Sequence, residues 1–194
     1  MQPRLILASG SPRRRQLLRD AGYEFEVVSP PVDEAAHGWL TVRELTIWNA
    51  ARKAAGVSRI APDAVVLAAD TLVAIDGEIL GKPNDLEDAV RILRRLSGRA
   101  HEVWTAVRIH HAARRRSRSF HQMSGVHFRK LDERAIRDYL AKIDPLDKAG
   151  AYAAQGSGAE IIAKIEGSFT NVIGLPMERT VAALEKFGIR PKFS

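Results

Sequence analysis

The sequence contains no cysteine in 194 residues, which excludes disulfides, thiolate-bound zinc, iron–sulfur clusters and a cysteine nucleophile. It lacks long apolar runs: none approaches the roughly 20 residues needed to span a bilayer, and Leu5-Ile6-Leu7-Ala8 is too short for the core of a secretory leader. With 14 Gly and 9 Pro it is neither collagen-like nor low in complexity, and 45% hydrophobic with 27% charged residues describes an ordinary folded domain. The expectation is one domain over residues 1–194 in a reducing, cytoplasmic setting, with no membrane partner. Familiar signatures are also missing. There is no GxxxxGK[ST], no GxGxxG beyond the lone Gly156-Ser157-Gly158, no GxSxG, and no histidine pair at zinc-ligand spacing. Acid is scarce relative to base, 23 Asp and Glu against 30 Lys and Arg, giving a net charge of +7. Such a balance favours anionic partners, phosphorylated metabolites and nucleic acid alike.

Periodicity organises the rest. A strand over 4–8 stops at Ser9-Gly10-Ser11-Pro12, and a helix follows to Gly22. Phe25–Val28 reads as a strand closed by Pro30-Pro31. Thr41 to Ile60 reads as a helix with Val42, Leu45 and Trp48 on its apolar side. Ala64–Ala69 is a continuous apolar run of the kind a doubly covered strand shows. Leu72–Ile75 and Glu78–Leu80 flank Asp76-Gly77, a hairpin signal. Leu86, Ala89, Val90, Leu93 and Leu96 mark an amphipathic helix. Alternation over 101–109 and a strand near 119–128 predict a pair across the basic stretch 112–118. A helix at 132–142, a Gly-rich segment at 147–158, a strand at Glu160–Ile165 and a last helix carrying Met177, Val181, Leu184 and Phe187 complete the chain. The alternation predicts an α/β fold with a mixed sheet.

Five places carry chemistry. Ser11 is a helix N-cap and Pro12 suits the first helical position, while Gly10 permits the sharp turn from the strand. Arg13 and Arg14 stand on the first helical turn, where cations oppose the helix dipole. An anion at the outward-facing N-terminus would explain them, and solvated arginines on a capped surface helix are the alternative. Asp70, followed by Thr71, ends the apolar run, the end that faces the ligand crevice in open α/β sheets. Lys82 is fixed between Gly81 and Pro83, and Lys53 lies one helical turn after Asn49. Asp33 and Glu34 offer hard oxygens suited to Mg²⁺ or Mn²⁺, or form a solvated acidic loop. The run Arg114-Arg115-Arg116 with Arg118 reads as a solvated hairpin tip.

Taken in order, LASGSPRRRQLL, AADT, GKP, DKAGAYAAQG and NVIGLP resemble the Maf family of nucleoside triphosphate pyrophosphatases, over about residues 5 to 187. The resemblance implies an elongated mixed sheet with flanking helices and two lobes around a central cleft, similar to the inosine-triphosphate pyrophosphatases. It implies hydrolysis of a nucleoside triphosphate to the monophosphate and pyrophosphate with a divalent metal, Mg²⁺ or Mn²⁺. Asp70 would be the proton acceptor and, with Glu34, a metal ligand; Ser9, Arg13, Arg14, Lys53 and Lys82 would hold the substrate. The Gln-Gly ending of DKAGAYAAQG is similar to the branch preferring dTTP and UTP, in which Arg13, Thr71 and Gln155 mark base selectivity. Modified pyrimidine triphosphates fall in the same substrate class, and a homodimer is implied by the resemblance alone. Gln155 argues against the 7-methyl-GTP type. A second reading, disfavoured here, is a basic nucleic-acid-binding or cell-division (septum) regulatory protein with a vestigial nucleotide site.

Overall fold

A computed structural model describes residues 2–29 and 40–192. The elements are β1 (Leu5–Leu7), α1 (Pro12–Asp20), β2 (Glu26–Val27), α2 (Val42–Ile60), β3 (Val65–Ile75), β4 (Glu78–Leu80), α3 (Leu86–Leu96), β5 (Ala100–His111), β6 (Arg116–Phe128), α4 (Glu133–Leu140), α5 (Gly158–Ile161), β7 (Ile162–Glu166), α6 (Phe169–Ile173) and α7 (Met177–Glu185), with a 3₁₀ turn at Ala149–Ala151. The strands form a seven-stranded sheet in the order β2-β1-β3-β5-β6-β7, with β4 paired to β3. β1 runs parallel to both β2 and β3, whereas the β3–β4 and β6–β7 pairs are antiparallel, so the sheet is mixed. No described helix is long and apolar enough to cross a membrane.

By packing, the chain divides into two compact units: Met1–Asp70, Thr105–Gln122 and Gly174–Ser194 make the first, and Thr71–Trp104 with Met123–Ile173 the second. In the first, Ile6, Ala8, Val66 and Ala68 of the sheet meet Ala54 and Val57 of α2. Five alanines, Ala8, Ala54, Ala61, Ala64 and Ala68, belong to this small cluster, so the helix is seated on the strands through short side chains. α2 itself starts on a capping box: Thr41 Oγ1 accepts from the Glu44 amide at 3.3 Å, and the Glu44 carboxylate accepts from the Thr41 amide at 2.9 Å.

The second unit has a larger core, in which Ala89, Val90, Leu93 and Leu96 of α3 and Ile136, Tyr139 and Leu140 of α4 surround Val73, Ile75, Val103 and Val126. The alternation read in β5 holds, since Val103, Thr105, Val107 and Ile109 are all buried. Inside this unit His101, Phe128 and Tyr152 pack edge to face in a triangle, with ring centroids 4.9 to 5.4 Å apart. His101 Nε2 lies 2.9 Å from the Tyr152 hydroxyl. Burial, helped by the charge of His127, pushes the His101 imidazole down to about 4, against about 6.5 in an unfolded chain. The unfolded chain therefore takes up the proton first. The stability tied to this histidine is complete above pH 6.5 and is lost as pH falls through 4, a change of about 3 kcal/mol. We expect urea unfolding between pH 7.5 and 4 to show a shallower fall in His101→Phe than in the wild type. Parallel slopes would contradict this account. The lost bond to Tyr152 costs the variant stability at every pH and leaves the comparison of slopes intact.

Several expectations are corrected. Trp48 is 50% exposed; the buried side of α2 carries Leu45, Thr46, Asn49, Ala50, Lys53, Ala54 and Val57. Trp48 follows Leu45 at helical spacing but turns to solvent, and the polar residues Thr46, Asn49 and Lys53 lie on the buried side instead. β2 is only Glu26–Val27, both exposed, and Pro30-Pro31 lies outside the described residues. The strand expected at Glu160–Ile165 begins at Ile162, because Gly158–Ile161 forms a helical turn first. Most consequential, Ala64–Ala69 and Leu72–Ile75 are not two strands. β3 runs without interruption from Val65 to Ile75, and Asp70 sits in its middle.

Candidate active site

The turn from β1 into α1 is built as its residues dictate. Ser11 caps the helix, its Oγ accepting from the Arg14 amide at 3.4 Å, and Pro12 stands at the first helical position. Adjacent residues on a helix point about 100° apart, and the two arginines separate accordingly. Arg14 turns inward and is buried; its Nε donates to the Gly174 carbonyl at 2.8 Å and its Nη1 to Ser9 Oγ at 3.0 Å. Arg13 stays partly exposed. The arginine pair on the first helical turn is therefore one arginine at the surface and one tying the turn to the segment that precedes α7. The Ser9 hydroxyl also accepts from the Ser11 amide at 3.2 Å, so it organises the turn from within.

The β1–β3 register pairs Leu7 with Leu67, and the Ala8 amide donates to the Leu67 carbonyl at 2.8 Å. The end of β1 and Ser9 consequently lie in the row beside Ala69 and Asp70. Asp70 is buried, its side chain 4% exposed, and is met by two groups from one face of α2. Lys53 Nζ is 2.6 Å from Oδ1, and Asn49 Nδ2 donates to Oδ2 at 3.2 Å. Residues four apart share a helix face, which is why a single helix holds both oxygens. The Lys53 side chain is itself only 11% exposed. A nearly buried carboxylate is stable only when paired, and here the partner is Lys53, which the family resemblance implies as a substrate-binding residue. Asn49 is a further contributor outside the residues that the family resemblance implies. Its signal was present: an amide among apolar residues, four positions before the lysine. Asn49 Oδ1 is buried and has no hydrogen-bond partner among the described residues.

In the second unit three motifs come together. The Gly150 amide donates to the Gly81 carbonyl at 3.0 Å, joining DKAGAY to the turn that carries Lys82. Gly150 has φ of 72° and packs on Val73; a Cβ there would come within 3.1 Å of both Val73 methyls. Thr71, two residues before Val73 in β3, is partly buried, and Lys82 is exposed. Tyr139 pins the following segment, its hydroxyl lying 3.2 Å from the Ala153 carbonyl and 3.0 Å from the Ala153 amide. Gly158 closes the loop against Ala153, where a Cβ would lie 2.5 Å from the carbonyl oxygen, a clash only glycine avoids. Gln155 thus rides exposed on a loop fixed at both ends.

Glu34 and Asp33 lie outside the described residues. Among the described residues no group of three His, Cys, Asp or Glu side chains could hold a metal ion. The oxygens at the described site are the Asp70 carboxylate and the orphaned Asn49 Oδ1. These are hard donors of the kind Mg²⁺ or Mn²⁺ accepts when substrate phosphates supply further ligands.

The sequence is similar to dTTP/UTP pyrophosphatase of Pelotomaculum thermopropionicum, 46% identical over 184 residues that make up 95% of this chain and 96% of the relative. It is 47% identical over 184 residues to dTTP/UTP pyrophosphatase of Symbiobacterium thermophilum, covering 95% and 94% of the two chains. Among solved structures, a HAM1 protein from Coxiella burnetii is similar over 65% of this chain and 73% of its own, with a TM-score of 0.44 and 16% identity. The family model described as Maf-like protein matches residues 4–187. The motifs at Ser9–Arg14, Asp70–Thr71, Gly81–Pro83 and Asp147–Gly156 all fall within that match, and the chain belongs to the Maf family.

Proposed function

We propose that this protein is a nucleoside triphosphate pyrophosphatase that hydrolyses dTTP and UTP to the monophosphate and pyrophosphate. The observation that carries the reading is the buried Lys53–Asp70 pair beside the end of β1, in a chain whose relatives carry the name of that activity over nearly their whole length.

Water attacks the α-phosphorus, the bond from that phosphorus to the bridging oxygen breaks, and pyrophosphate leaves. Asp70 takes the proton. Oδ1 lies against the Lys53 ammonium, so Oδ2, whose bond to Asn49 is longer, is the oxygen that receives it. Lys53 holds the carboxylate in place and, with Arg13, Arg14, Ser9 and Lys82, offsets negative charge on the phosphates. The Asp70 carboxylate, with Glu34, would hold the divalent metal, which lowers the proton affinity of water and neutralises developing charge. A vestigial site would have no need of a buried, paired acid, and the pair is intact.

Gln155, with one amide donor group and one acceptor, complements the imide edge shared by thymine and uracil. Thr71 and Arg13 join it in selecting the base. A panel of canonical and modified triphosphates tests both claims. The wild type is expected to favour dTTP and UTP over dGTP, and Gln155→Ala to reduce the ratio of kcat/KM for dTTP to that for dGTP by about 10- to 100-fold. An unchanged ratio would remove Gln155 from base selection, and turnover confined to purine triphosphates would refute the substrate class.

A further inference from the structure

The net charge is not spread over the molecule. The first unit carries 18 Lys and Arg against 10 Asp and Glu, and the second 12 against 13. All of the excess is in the first unit, and much of it gathers where β1 and β3 begin, away from Asp70 in the middle of β3. The tip between β5 and β6 is fixed there, the Ala113 amide donating to the Pro62 carbonyl at 2.9 Å. Arg116 fastens it again, with Nη2 donating to the Lys186 carbonyl at 2.9 Å and the guanidinium over the Phe187 ring at 5.1 Å. From Thr105 to Gln122 this ribbon has five arginines and no carboxylate. Arg114, Arg115 and Arg118 are exposed and have no carboxylate partner among the described residues.

At the same end, an open groove of about 710 Å³ is lined by Arg4, Arg19, Arg190 and Lys192 together with Tyr23 and Phe25. The Arg4 and Val65 backbones are joined at 2.9 Å, which places the groove's first cation beside the start of β3. Glu26 and Glu24 also line it, but each is matched by a cation, Arg4 at 3.4 Å and Lys192 in close contact. Arg19 and Arg190 have no carboxylate partner among the described residues. Five residues of β3 separate this end from Asp70, about 16 Å at the rise of a strand.

We infer that this end of the first unit is a docking face for duplex nucleic acid, gripped through its phosphates by the arginine tip and the adjoining groove. Exposed guanidinium groups clustered without carboxylates favour an extended anion, and guanidinium pairs with phosphate through two parallel bonds. An anionic membrane is less well matched. The only apolar residues in the turn are Ala112 and Ala113, which offer nothing to insert below the headgroups. A phosphate-based grip tolerates any base sequence. Its contribution disappears into the sequence-wide composition and emerges only when the charges are placed on the fold.

The test uses the full chain and a fluorescein-labelled 20-base-pair duplex, followed by anisotropy from 50 to 200 mM KCl with a non-hydrolysable dTTP analogue saturating the nucleotide site. Binding in the micromolar range that weakens steeply with salt is expected. Arg114→Gln/Arg115→Gln/Arg118→Gln should weaken it at least tenfold at 100 mM KCl and make the log–log salt slope shallower by two to three. Hydrolysis of dTTP should stay within twofold. Arg19→Gln/Arg190→Gln, on other elements, should act in the same direction and guards against a tip variant that fails to fold. The inference is overturned by no binding at 50 mM KCl, by binding indifferent to both variants, by displacement with the dTTP analogue, or by retention on phosphatidylserine vesicles without duplex binding.

Discussion

Asp70→Asn lowers kcat for dTTP by about 10³-fold, within the range associated with a positioned general base, while the nucleotide still binds. The substitution keeps the size of the side chain and an oxygen for the Lys53 ammonium to meet, but leaves no carboxylate to take the proton. Retained binding of a non-hydrolysable dTTP analogue, measured by calorimetry, shows that the loss is in the chemical step. The Lys53 ammonium loses its counter-charge in this variant, so some loss of stability accompanies the kinetic effect. A kcat above a tenth of the wild-type value would show that another group accepts the proton, and the role assigned to the 2.6 Å pair would have to be withdrawn.

Lys53→Met has the second large effect, and on a different property. With the ammonium gone, Asp70 is a carboxylate with 4% of its side chain exposed that keeps the Asn49 amide bond without a counter-charge. Breaking such a pair from one side costs about 3–5 kcal/mol, which corresponds to a fall in Tm on the order of 10 °C for a chain of this length. Hydrolysis is lost in parallel. The double variant Lys53→Met/Asp70→Asn removes both charges and should recover at least about 2 kcal/mol relative to the sum of the single variants. Strict additivity in urea unfolding at pH 7 would mean that the two side chains do not stabilise each other in solution.

The parts of the candidate site that are local could be read from the sequence. Ser11 and Pro12 determine a helix start from adjacent residues, and Asp76-Gly77 determines a hairpin in the same way; the structure places both with positive φ, 54° and 77°. The facing of Lys53 was harder, since a helix face depends on what the helix packs against. The exposed Trp48 and the buried Asn49 and Lys53 invert the hydropathy rule on α2 because a buried carboxylate, and not only the alanine-rich sheet, lies opposite. The interruption read at Asp70 came from the same source. A charged residue inside an apolar run resembles a strand end, whereas tertiary pairing lets β3 continue through it. Arg14 illustrates a third limit: its partner Gly174 is 160 residues away, and no local pattern reports that distance. The contrast in charge between the two units has the same origin, since each is assembled from separated segments.

The central claim is that Asp70 activates water for attack on the α-phosphorus of a pyrimidine nucleoside triphosphate. Hydrolysis of dTTP in ¹⁸O-labelled water with Mg²⁺, followed by mass spectrometry of the products, addresses it directly. The account predicts dTMP and pyrophosphate in equal amounts with the label in dTMP. Label in the pyrophosphate, or release of dTDP and inorganic phosphate, would contradict it.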